Sequence, residues 1–299
     1  MAGEFELIAK LRQQLSDSGL LVGVGDDAAV IARDDGSSWL IATDMLMDGV
    51  HFDVANTNPR LIGRKALGVN LSDIAAMGAV PTTAVVSVAL PRGSSIGEEL
   101  HTGLFQLAGE FDTVIAGGDT NSWDGPLVIN VAVTGELPPG AKPFERRGAR
   151  VGDWIFVTGP LGGSLDGHHF SFTPRVREAQ ILRSITTVNS MIDISDGLAA
   201  DLHHILDESE VGAVLFAERI PIRESIQTQP GALKRALGDG EDFELLFTVS
   251  AGEAQRLIAN APDAVELFHI GEITESGAEL VLPDASREPL LRRGWEHAL

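Results

Sequence analysis

The sequence predicts a mixed α/β protein of two domains, and three observations carry that expectation. Short β-branched runs alternate with longer amphipathic ones along the chain. At 299 residues, two domains of ordinary size are a better prior than one. The stretch 135–152, GELPPGAKPFERRGARVG, breaks both periodicities with three prolines and four basic residues. A first domain over 1–137, a linker over 138–150 and a second domain over 151–299 follow.

Taken in order, strands are expected at 30–31, 39–43, 83–89 (TAVVSVA), 114–116, 127–134 (LVINVAVT), 154–158, 191–194, 212–216, 245–249 and 269–273. Helices are expected at 4–14, 59–77, 95–111, 174–185, 197–208 and 252–260. The 197–208 helix buries Leu198, Leu202 and Ile205, which leaves Asp201 and Asp207 on a solvated face. No heptads, short repeats or low-complexity tracts appear, so solenoid and coiled-coil architectures drop out.

Composition narrows the function. Twenty-two basic side chains against 43 acidic ones leave a formal charge of −21, which repels nucleic acid and anionic membrane surfaces alike. Hydrophobic residues at 44% against 22% charged allow a sizeable core. Cysteine is absent, so disulfides, thiolate metal sites and cysteine nucleophiles are excluded. The start MAGEFELIAKL carries Glu4, Glu6 and Lys10 and does not resemble a signal peptide, and no apolar run approaches the roughly 18 residues of a membrane span. A soluble, cytoplasmic protein is expected.

The placement of the acids is more informative than their number. Aspartates follow apolar strands or sit beside glycines in GVGDDAAV (Asp26, Asp27), LIATD (Asp44), VIAGGD (Asp119) and MIDISDG (Asp193, Asp196). Open α/β sheets gather ligand groups at such strand ends. Asp73 lies in the otherwise nearly apolar run ALGVNLSDIAAM, and on a helix it shares a face with Asn70. A buried carboxylate there needs a partner, either a core-facing base such as Lys65 or a metal. If these aspartates converge, each pair at about 4 Å repels by roughly 4 kcal/mol at an effective dielectric near 20, which bound cations relieve. Oxygen ligands without cysteine or an HExxH pair suit Mg²⁺, and a metal-nucleotide substrate is then expected.

Familiar phosphate loops are missing: there is no Walker A pattern, no third glycine after Gly23 and Gly25, and no GxSxG elbow. The run TGPLGGS at 158–164 is either an anion-binding turn or an ordinary glycine turn. Arg146, Arg147 and Arg150 form the densest basic cluster, read either as a phosphate clamp or as a solvated linker. The pairs His168-His169 and His203-His204 are read as helix-face or loop histidines.

Together GVGDDAAV, ATDMLMDGVHF, KALGVNLSDIAAMGA, AGGDT, RRGARVGDWIFVTG, MIDISDGLAADL and GEDFELLFTV closely resemble, in the same order, the thiamine-monophosphate kinase family. That family belongs to a superfamily named for aminoimidazole ribonucleotide synthetase. The resemblance implies an α/β (α+β) two-domain fold, with N-terminal sheets pairing into the barrel of a homodimer and an N-terminal domain that binds ATP and metal. It implies transfer of the γ-phosphoryl group of ATP to thiamine monophosphate without a covalent intermediate. Magnesium ligands carry over to Asp27, Thr43, Asp44, Asp73, Asp119, Asp193 and Asp196, with Asp44, Asp73 and Asp119 the most critical. Nucleotide contacts carry over to Gly118, Asp119, Arg146 and Ser195, and thiamine contacts to His51, Glu241 and Trp295. An indole suits a thiazolium cation, whereas a bland alternative makes Trp295 a plug at a domain edge.

Departures from the family pattern are the Gly238-Asp239-Gly240 approach to Glu241, the Asn121-Ser122-Trp123 run where an arginine is usual, and a shortened 163–175 stretch. Two rival readings are another ATP-dependent synthetase of the superfamily and a non-catalytic divalent-ion binder.

Overall fold

The computed structural model describes residues 8, 10–12, 19–262 and 264–295. The helix expected at 4–14 is helical at 8 and 10–12 and otherwise lies outside the described residues. Two sheets form, one from each half of the sequence. The first contains β1 (Ala29–Ala32), β2 (Ser38–Met47), β3 (Val80–Pro91), β4 (Val114–Trp123) and β5 (Val128–Leu137), in the order β1-β2-β5-β3-β4. Only β3 and β4 pair in parallel within it. Helices α1 (Pro59–Ala76) and α2 (Gly97–Glu110) belong to this half.

The second sheet contains β6 (Trp154–Val157), β7 (Ser190–Asp193), β8 (Gly212–Phe216), β9 (Leu245–Val249), β10 (Phe268–Thr274), β11 (Ala278–Val281) and β12 (Arg287–Pro289). Its order is β12-β11-β8-β10-β6-β9-β7. Helices α3 (Val176–Ile185), α4 (Leu198–Ser209), α5 (Ala232–Gly238) and α6 (Ala251–Asn260) accompany it.

Strand alternation explains the first half. Along β2 and β5, Leu40, Ala42, Leu46, Ile129, Val131 and Val133 point into the core, while Trp39, Ile41 and Met45 of β2 face outward and are exposed. Val85 of β3 is exposed as well, so the outer side of this sheet carries a set of apolar side chains. Helix α1 starts where Asn58 accepts the Arg60 N–H at 2.9 Å and Pro59 presets the first turn. Its sequence is apolar nearly all round because it packs on β2, β5 and α2 and also meets α3 and β7 of the other half. It is therefore the element on which the two halves meet.

Several expected bounds change. β2 and β4 run past their predicted ends at 43 and 116, so Asp44 and Asp119 lie within strands rather than at strand ends. In β4 the polar run GGDTNS pairs with β3 at the sheet edge, where backbone hydrogen bonds hold residues of low strand propensity. Gly118 fits there because a Cβ would stand 1.7 Å from the Val86 carbonyl oxygen. β11, β12 and α5 were not expected, being too short to show a period.

Helices α1 and α2 cross at glycines: a Cβ on Gly63 would lie 1.9 Å from the Leu100 carbonyl oxygen, and one on Gly103 1.8 Å from that of Arg60. Gly63→Ala should therefore cost about 1–3 kcal/mol by overpacking, seen as a lowered melting temperature. Gly109→Ala, where nothing lies within 4 Å, should leave the melting temperature unchanged or raise it.

Candidate active site

Segments from both halves bring acids to one place along α1. The turn before β1 supplies Asp26 and Asp27, β2 supplies Asp44, α1 supplies Asn70, Ser72 and Asp73, and the end of β7 supplies Asp193, followed by Ser195 and Asp196. One oxygen from each of Asp27, Asp73 and Asp193 lies within 4.8 Å of the others. Asn70 Oδ1 accepts the Asp44 N–H at 3.1 Å, and its Nδ2 donates to the Ala66 carbonyl at 3.1 Å, so this amide fixes strand against helix. Ser72 Oγ donates to Asp193 Oδ2 at 2.6 Å across the two halves.

These carboxyls resist ionisation. Burial, then the charges of Asp44, Asp193 and Asp27, push Asp73 well above the ordinary carboxylate range. Burial and Asp27 raise Asp193 to about 8, burial with Asp27 and Asp196 raises Asp44 to about 6, and burial raises Asp26 to about 7. Arg146 is the counter-charge: its Nη2 donates to Asp27 Oδ1 at 2.5 Å and its backbone N–H to Asp26 Oδ1 at 2.7 Å. Although burial works against its charge, Asp27 and Asp26 keep that guanidinium protonated. The linker arginine is thus part of the site.

Asp27 Oδ2 and Arg146 Nε are buried and make no hydrogen bond. An orphaned carboxylate oxygen within a group of oxygen donors is a fit for a hard divalent cation such as Mg²⁺. Beside this group is a cavity of about 600 Å³. Asp44, Asp73, Asp193, Ser195 and Asp196 line it, and so do His51, Lys65, His169, Phe243, Glu241 and Trp295. His51 Nδ1 accepts the Met47 N–H at 3.0 Å, and the Trp295 N–H donates to the Asp196 carbonyl at 3.0 Å.

Most of the residues expected from the sequence therefore meet. Three stand apart within one chain: Gly118 and Asp119 are exposed on β4, Thr43 is on the outward side of β2 with its hydroxyl donating to the Val131 carbonyl at 3.0 Å, and none of them lines the cavity. With β5 and β3 between β2 and β4, Asp119 is about 14 Å from Asp44 across the sheet.

Other readings are corrected. Lys65 is fully buried but pairs with Glu241, not Asp73. His169, set aside as a loop histidine, is buried against the same Glu241. Asp201 is 1% exposed rather than solvated, and its Oδ2 accepts the N–H groups of Asp196 and Gly197 at 3.1 and 3.0 Å. The 158–164 turn has spent its donors internally: Gly162 N–H goes to Asp242 at 2.9 Å and Gly163 N–H to Asp239 at 3.0 Å. Asp239 is held by Arg235 as well, which accounts for this additional carboxylate beside Glu241. Spacing along a helix could have pointed to Lys65 and to Asp201, which stands three residues after Leu198 and four before Ile205, but nothing local marks His169.

Comparisons with known proteins agree with this geometry. Residues 25–137 match the AIR synthase related protein N-terminal domain, and 150–282 match the C-terminal domain. A thiamine-monophosphate kinase of Rhodopirellula baltica is 40% identical over 84% of this chain and 83% of its own length. That of Escherichia coli K12 is 37% identical over 83% and 82%. Among solved structures, AaThiL complexed with AMPPCP and TMP superposes with a TM-score of 0.86 at 28% identity, covering 99% of this chain and 97% of that one. The thiamine-monophosphate kinase of Stenotrophomonas maltophilia K279a gives 0.75 at 34% identity, over 93% and 96%. With both domain models matched in order and relatives this similar over most of its length, the chain belongs to the thiamine-monophosphate kinase family of AIR synthase related proteins.

Proposed function

We propose that this chain phosphorylates thiamine monophosphate with ATP, giving thiamine diphosphate and ADP. The observation that carries the reading is the meeting of Asp27, Asp73 and Asp193 within 4.8 Å, beside a cavity that also presents His51, Glu241 and Trp295. Phosphoryl transfer asks mainly for alignment and charge neutralisation, and the acceptor phosphate oxygen is already anionic, so no general base is required. Asp27, Asp44, Asp73, Asp193 and Asp196 would hold Mg²⁺, which neutralises phosphate charge when bound. Arg146 and Ser195 face the nucleotide, and the unpartnered Arg146 Nε–H is a donor still to be used. His51, Glu241 and Trp295 take the thiamine end. Supply of ATP sets the protein in the cytoplasm.

A homodimer belongs to the same reading. Trp39, Ile41, Met45 and Val85 expose an apolar sheet side that a second copy would cover. Asp119 is paired with Ser87 and so faces the same side, which lets it and Gly118 act on the site of the partner copy.

The direct test incubates the protein with Mg-ATP and thiamine monophosphate and separates the products; ADP without thiamine diphosphate would reject the substrate. Asp73→Asn should lower turnover by at least about a thousandfold, since a positioned metal is lost. In EDTA at pH 8 the same variant should melt no lower than wild type, because a repelled carboxylate is gone.

Linkage gives a pH test. The unfolded chain releases these protons near the ordinary carboxyl pKa, whereas Asp44, Asp26 and Asp193 hold theirs to about 6, 7 and 8. The folded state then binds more protons, so stability without metal falls as pH rises through that window. Melting in EDTA should drop by about 5 °C from pH 6 to pH 8, and Mg²⁺ should restore it.

Mixing inactive Asp119→Ala and Asp73→Ala proteins under conditions of subunit exchange should recover about a quarter of wild-type activity if Asp119 acts across the dimer. No recovery would place Asp119 outside the partner's site.

A further inference from the structure

Lys65 is among the largest side chains with no exposure at all, and it lies on α1 about 12 Å, or eight residues, before Asp73. Its Nζ donates to the His51 carbonyl at 2.7 Å and to Glu241 Oε1 and Oε2 at 2.7 and 2.6 Å. All three ammonium protons are thereby committed. His169 Nδ1 lies 2.9 Å from Lys65 Nζ and 2.5 Å from Glu241 Oε2; with the three ammonium protons already placed and a carboxylate that only accepts, Nδ1 carries a proton and donates it to Glu241. Glu241 itself has φ +54, with its N–H donating to the Ser195 carbonyl at 2.7 Å. A non-glycine residue in that conformation needs surroundings that hold it there.

A buried ion pair is weak evidence for stability, because desolvation offsets most of the attraction. Here it lies in the wall of the cavity, and it ties together His51 and Glu241, the two polar residues read above as thiamine contacts. Lys65 comes from the first half of the chain and Glu241 and His169 from the second, so the wall exists only when the halves are docked.

We propose that Lys65 and His169 are positioning residues for the organic end of the substrate: they aim the Glu241 carboxylate and the His51 segment as one preformed surface for a heteroaromatic ligand that brings hydrogen-bond donors or a fixed positive charge. Neither residue has a donor left for the substrate's phosphate. Lys65 balances the single charge of Glu241, and because Oε2 already accepts from both Lys65 and His169, the lone-pair direction left for the ligand is on Oε1. The inference rests on the functional reading above, which supplies thiamine monophosphate as the ligand.

Lys65→Met, Lys65→Arg, His169→Leu and His169→Asn are compared with wild type by steady-state kinetics and by calorimetric binding of thiamine monophosphate without nucleotide. Loss of a charged hydrogen bond predicts that Lys65→Met and His169→Leu raise KM and Kd for thiamine monophosphate about tenfold or more. KM for ATP should stay within about twofold, because the phosphate end is untouched. Lys65→Arg and His169→Asn, which keep a donor facing Glu241, should recover most of the loss. Should Lys65→Met fail to fold, His169→Leu and its Asn counterpart carry the same test. Unchanged thiamine monophosphate binding in folded Lys65→Met or His169→Leu overturns the inference while leaving the kinase reading intact, as does an equal rise in KM for both substrates. Wild-type protein that binds no thiamine monophosphate overturns both.

Discussion

Buried carboxylates that cannot all be charged in one another's company set the terms for the rest of the molecule. Asp27, Asp44, Asp73 and Asp193 share a space where each close pair repels by roughly 4 kcal/mol at an effective dielectric near 20. A single guanidinium, that of Arg146, answers Asp27 directly. The acids come from both halves of the chain, so anything that neutralises them also draws the halves together. Phosphoryl transfer between two anions makes the same electrostatic demand, and on the proposed function divalent cations would mediate between a very acidic protein and an anionic substrate pair.

Along α1 the electrostatics change character. Near its middle, Lys65 neutralises Glu241 and all the ammonium protons are placed without help from a ligand. Two turns on, around Asp73, a buried oxygen and a buried N–H remain without partners. On the proposed function, the organic end of the site is thus built in advance, while the phosphate end would be completed by what binds. Rigid placement of both ends on one helix gives the alignment that direct transfer requires. It also accounts for the unusual sequence of α1, which from Lys65 onward has almost no solvent side and whose Lys65, Asn70 and Ser72 each meet a specific partner.

Much of this was legible in the sequence. The alternation of β-branched and amphipathic runs marked most strands and helices, and glycine-flanked aspartates marked the acidic site, because period and turn chemistry are local properties. Motif order identified the family, and with it His51, Glu241 and Trp295 at the cavity. The polar continuation of β4 beyond 116 escaped, since an edge strand needs no apolar alternation, and short α5 escaped for want of a full period. Asp201 shares the apolar face of Leu198, Leu202 and Ile205, and its charge alone suggests a wet position; its carboxylate instead caps the turn beneath the site.

By itself, then, the chain's sequence determined its class, its two-part organisation and the chemical kind of its site, all of which rest on residue type and spacing between near neighbours. Tertiary structure decided the pairings: Lys65 with Glu241, 176 residues away, Ser72 with Asp193, 121 away, and Arg146 with Asp27, 119 away. It also left Asp119 on the open sheet side instead of beside Asp44. Those outcomes depend on how sheets and helices pack across long loops of chain, and no local pattern encodes which charge a buried side chain will meet.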